Sequence, residues 1–144
     1  MNRVSTVLAA LLAATCACAG QAPELARAPG RVAAPPTLSC DRNKLTSYNG
    51  RVTAYQRDAG ATSLQVSTDW GTDEKIELHH VDGGNPAAHF RLAGQAFSAN
   101  DWSRIESEPG VLRDGMRVIA WVCRDGVTPP VIDWRPGEAP AVGY

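Results

Sequence analysis

A mostly β fold is predicted by three features of the chain. Short runs alternate apolar and polar residues with the two-residue period of a strand. Gly- and Asp-containing turn signals separate those runs at close intervals. Helical periodicity extends over only one short stretch, near residues 99–107.

The first strand is expected over 51–57 (RVTAYQR), with Val52 and Ala54 on one face and Thr53 and Tyr55 on the other. Asp58-Ala59-Gly60 forms a turn. Residues 62–70 (TSLQVSTDW) alternate, turning Leu64, Val66 and Trp70 inward. After the Gly71 turn, residues 74–81 (EKIELHHV) direct Ile76 and Leu78 to the same core. These three runs predict an antiparallel meander. Asp82-Gly83-Gly84-Asn85-Pro86 is a loop, and 89–92 a short extended piece. Ser98 fits an N-cap, with Asp101 in the first turn and Trp102 and Ile105 one helical step apart. Pro109-Gly110 ends that helix. Residues 116–123 (MRVIAWVC) are apolar on both faces, as in a central strand. Residues 131–134 (VIDW) form the last strand, and the preceding Pro129-Pro130 places it at an edge.

Three strands, a short helix and two further strands give the element order of a small five-stranded OB-like barrel. A small sandwich or a lipocalin-like half barrel competes with it. Asp-Trp recurs at Asp69-Trp70, Asp101-Trp102 and Asp133-Trp134, but the flanks differ, so the spacing is no repeat.

The ends of the chain predict its compartment. Arg3 precedes an uncharged apolar core over 4–14, and small residues follow over 15–20. That is the layout of a secretory signal peptide. The apolar run is shorter than the ~20 residues of a transmembrane helix. Ala17-Cys18-Ala19 offers a cleavage site, which assigns 1–19 to the signal peptide. Lipidation at Cys16 or Cys18 is the alternative, although neither is preceded by the usual lipoprotein residues. Residues 20–38 form an Ala/Pro-rich flexible leader. Residues 39–136 are the β-barrel domain, and 137–144 the C-terminal tail. The chain is therefore expected to be periplasmic or secreted, with a lipid anchor as an option.

Export places Cys40 and Cys123 where disulfides persist, and no C-x-x-C partner points to zinc instead. A Cys40–Cys123 bond is expected. The formal net charge of −1, with no basic block, argues against a nucleic-acid partner.

Candidate chemistry is sparse. His79 and His80 are neighbours on a strand and point to opposite faces. His80, His89 and Asp82 are the one combination that resembles a metal site, and a small metal-binding or hydrolytic enzyme using this region is the alternative reading. Ser98, Ser103 and Ser107 lack a G-x-S-x-G elbow. No catalytic residue, metal ligand or cofactor is assigned. Tyr55, Trp121 and Trp134 fall on strand positions opposite the main core face, with Arg51, Arg57 and Arg117 at matching parity. They are the candidate binding residues, suited to an envelope protein, a peptide or a glycan. The competing role is structural, with Trp121 covering Cys123 and Trp134 under the tail or helix. A non-catalytic binding or assembly module of the bacterial cell envelope is the expected function.

Overall fold

The computed structural model describes residues 32–81 and 84–138. The expected signal peptide over 1–19, most of the expected leader and the end of the tail lie outside them.

Strands dominate. The elements are β1 (Leu45–Arg57), β2 (Ala61–Thr68), β3 (Asp73–His79), β4 (Phe90–Leu92), β5 (Gln95–Ala96), α1 (Trp102–Ile105), β6 (Glu106–Glu108), β7 (Val111–Leu112), β8 (Arg117–Cys123) and β9 (Val131–Arg135). Seven strands make one sheet in the order β3-β2-β1-β8-β9-β4-β5, and β6 pairs with β7 apart from it. The β1–β2–β3 meander is present, with antiparallel ladders throughout.

The five-stranded OB-like barrel is not what forms, because the sheet does not close. β3 ends at His79, a 3-10 turn at Pro86–His89 leads into β4, and β4 joins β9 in parallel register. The outer edge of β3 pairs with no described strand.

β1 begins six residues before the predicted strand. Its first half, Leu45–Arg51, is polar in sequence but pairs with β8, the central apolar strand. Gly50 is the point of closest approach. A Cβ placed there would lie 2.2 Å from the Ser67 carbonyl oxygen, so no side chain fits. The register then slips between Val52 and Ala54, with Thr53 as the extra residue of a β-bulge. The slip reverses the expected alternation: Val52 and Tyr55 both join the main core, and Ala54 does not. Trp70 also departs from expectation. β2 stops at Thr68, so Trp70 falls in the hairpin turn and is 82% exposed.

The helix is a single turn. A 3-10 turn at Ala99–Asp101, closed by a capping box between Ser98 and Asp101, leads into α1. Residues 106–108 are a strand instead of the helix end, because the Pro109-Gly110 turn folds them back on β7.

The main core lies on one face of the sheet. Leu64, Val66, Ile76, Leu78, Val118, Ala120 and Ile132 pack there with Phe90, Ile105 and Trp134. Phe90 makes edge-to-face contacts with Phe97, Trp102 and Trp134, an arrangement favoured by the ring quadrupoles. On the second face Ile119, Trp121 and Val131 form a smaller cluster under Ala34 and Leu38. Cys40 and Cys123 sit at disulfide distance, with Sγ–Sγ 2.13 Å and Cα–Cα 6.2 Å.

Candidate functional site

The bulge at Thr53 sends two polar side chains of β1, Tyr55 and Arg57, to the core face, where Glu106 of β6 meets them. Arg57 donates from Nε to Oε1 at 2.7 Å and from Nη2 to Oε2 at 2.7 Å, a bidentate pair. The Tyr55 hydroxyl donates to the same carboxylate, and the Gly110 N–H donates to Oε2 at 3.1 Å. Arg57 also lies over the Trp102 ring, 4.3 Å from its centroid, a cation–π contact. Tyr55 meets the edge of Trp134 with ring centroids 5.9 Å apart.

Glu106 is only 5% exposed. Burial pushes its carboxyl up, but the bonds from Arg57, Tyr55 and Gly110 outweigh that and hold it below its ordinary value. Burial pushes the Tyr55 phenol up, and the Glu106 carboxylate adds to the effect. The Glu106 bonds hold Arg57 still more firmly in its cationic form. An anchored carboxylate, a neutral phenol and a fixed guanidinium make a brace, with no group poised to exchange a proton near neutral pH.

The brace supports an open groove of about 320 Å³ between Val52–Tyr55 of β1 and residues 110–115 around β7. Beyond Val52, whose N–H donates to the Met116 carbonyl, β1 has no ladder partner on this side among the described strands. The Asp58 N–H bonds the Ala61 carbonyl, so strand alternation turns the backbone groups of Arg57 and Tyr55 away from β2. Val111, on the far wall, is 50% exposed. A second open groove of about 330 Å³ lies across Ala54–Gln56, Ser63–Gln65, Asp73 and Lys75.

No protein-family model matches the chain, and no curated protein or solved structure is significantly similar to it. The geometry stands alone.

Of the candidate residues read from the sequence, Tyr55 and Trp134 meet edge to face in the main core, and Trp121 lies apart from them on the other face. Trp134 is fully buried in the main core, where the expected outer-wall position does not apply. Its Nε1–H has no acceptor among the described residues, an omission that costs about 1–3 kcal/mol. Trp121 is 3% exposed and belongs to the second cluster. Tyr55 borders both grooves. Arg51 and Arg117 face the second side as expected, where Arg117 donates to Asp69 Oδ1 at 2.7 Å; the bulge has moved Arg57 to the other face.

His80 Nε2 lies 2.9 Å from Thr62 Oγ1 and Nδ1 lies 3.4 Å from the Ala59 carbonyl oxygen, so both ring nitrogens have protein partners. Burial, with the nearby His80, pushes His89 down. No group of three metal-ligating side chains occurs among the described residues, and Asp82 lies outside them. Nothing in the sequence marks Glu106 as a partner of Arg57 or residues 110–115 as the wall of a groove. Glu-Ser-Glu at a helix end reads as a solvated surface, and nothing local announces that Arg57 will reach it.

Proposed function

We propose that the chain is an exported, non-catalytic binding or assembly module of the bacterial cell envelope. Its ligand seat is the groove between β1 and β7, and its ligand an extended peptide segment of an envelope protein. The carrying observation is the backbone edge of β1 beyond Val52, which pairs with no described strand and lies beside an open groove. Outward-turned N–H and C=O groups on a rigid strand favour a peptide that adds as a further strand. The β6–β7 hairpin lies against the Arg57 end of that edge, where Gly110 approaches the Arg57 carbonyl, so the peptide seats along Val52–Tyr55. The signal-like N-terminus and the Cys40–Cys123 pair support export.

Two measurements test the reading. Intact mass of the chain purified from its host is expected to show loss of 1–19 and of two hydrogens; a full-length reduced chain overturns the export claim. Displayed random peptides of about nine residues, selected on the oxidised chain, are expected to slow hydrogen exchange at the Tyr55 amide. Val111→Trp, which fills the groove, should abolish that protection. Selected peptides that protect other amides, or binding indifferent to Val111→Trp, defeat the groove assignment.

A further inference from the structure

The outer edge of β3 carries a charge pattern complementary to itself. Asp73, Lys75, Glu77 and His79 are all exposed and share the second face, while Ile76 and Leu78 point into the core. The Thr68 N–H bonds the Thr72 carbonyl, and the His80 N–H bonds the Gly60 carbonyl. Alternation between those two bonds turns the backbone groups of residues 73, 75, 77 and 79 outward. The residues whose main-chain groups have no partner strand among the described residues are thus the same ones that carry the charged row.

We infer that this edge pairs with the β3 edge of a second copy of the chain, antiparallel, about a two-fold axis at Ile76. In that register Lys75 of each copy lies opposite Glu77 of the other, and Asp73 opposite His79. The opposed pairs 75/77 and 73/79 are also the ones that exchange main-chain hydrogen bonds. Both Lys75–Glu77 pairs are therefore attractive by symmetry, as an isologous interface requires. Sliding by two residues removes the match. Centring on Lys75 opposes Lys75 to itself and Asp73 to Glu77; centring on Glu77 opposes Glu77 to itself. Edge strands that resist pairing commonly carry charges, lysine especially. Here the single lysine is flanked by acids at the spacing that a second copy neutralises. Within one chain Lys75 Nζ already lies 2.7 Å from Glu77 Oε1, with the two side chains 69% and 48% exposed. Their heads are on the surface and available to a neighbour. The pairing is independent of what occupies the β1–β7 groove.

Sedimentation equilibrium of the purified oxidised chain tests this at low salt. The wild type should dimerise with concentration. Lys75→Glu and Glu77→Lys should each weaken association by about tenfold or more, since two attractive pairs become two repulsive ones. The double exchange Lys75→Glu/Glu77→Lys restores complementarity and should recover the dimer. An equimolar mixture of the two single variants should also associate, because each supplies what the other lacks. Circular dichroism checks that these surface changes leave the fold intact. A wild type monomeric up to about 1 mM, or single variants that associate as well as the wild type, overturns the inference. Association that the double exchange fails to recover overturns the register.

Discussion

Among the described residues, twelve buried side chains, Trp134 and Phe90 included, pack together on the main face of the sheet, whereas the second face gathers three, Ile119, Trp121 and Val131, under Ala34 and Leu38. The strands are shared, yet the faces are finished differently. The first is sealed by interlocking aromatic rings and braced by the Arg57–Glu106 pair, as the second is by the Arg117–Asp69 and Arg135–Asp133 pairs. The second carries a row of charges and a short segment of chain held down by the Cys40–Cys123 bond. The contrast teaches where a covalent tie matters: it sits over the face whose apolar packing is thin.

Removing Trp134 should do the greatest damage. Trp134→Ala is expected to cost about 3–5 kcal/mol, read as a shift of the urea midpoint. Trp134→Phe should cost far less, because it keeps most of the ring volume and deletes an indole N–H that finds no acceptor among the described residues. Equal losses from both would mean that packing around the indole is looser than the edge-to-face contacts imply.

The Cys40→Ala/Cys123→Ala pair probes the other face. Opening a link of sequence separation 83 should cost about 4 kcal/mol in the chain-entropy picture. Hydrogen exchange should quicken first around Leu38, whose N–H bonds the Pro35 carbonyl, while the near-ultraviolet signal of the main aromatic cluster persists. Simultaneous loss of both would erase the distinction between the faces.

Glu106→Gln should have the smallest effect, about 2 kcal/mol at neutral pH, and a characteristic acid dependence. The folded carboxyl is held below its ordinary value of 4.5. Its contribution is complete above that value and declines as pH falls through the lower folded one. The gap in urea midpoint between wild type and Glu106→Gln should therefore narrow in acid. A gap unchanged from neutral to strongly acid pH would show that Arg57 and Tyr55 contribute nothing through the ionised carboxylate.

Much of the frame was legible in the sequence. Leu64, Val66, Ile76 and Leu78 obey strict alternation because β2 and β3 are regular and bury one face. The pairing of Cys40 with Cys123 followed from parity and compartment, and the structure brings them together. What escaped was non-local. The first half of β1 is polar, and only the apolar β8 beside it makes it a strand. The bulge at Thr53 has no sequence signature, yet it exchanges the faces of Tyr55 and Arg57 and so creates the brace. Closure into a barrel depended on where β4 docks, a tertiary choice that no local pattern records. Glu106 combined both difficulties, since its neighbours looked solvated and its partners lay on a strand whose faces had switched.

Gly50 and the extra residue at Thr53 stand three positions apart on β1. Any chain built on this plan must forgo a side chain at the first place and accommodate one surplus residue at the second, or the meander cannot cross β8 and still turn its phenol inward. Descent from a common ancestor would thus be traceable by a missing Cβ and a counting offset, long after the surrounding letters had drifted apart.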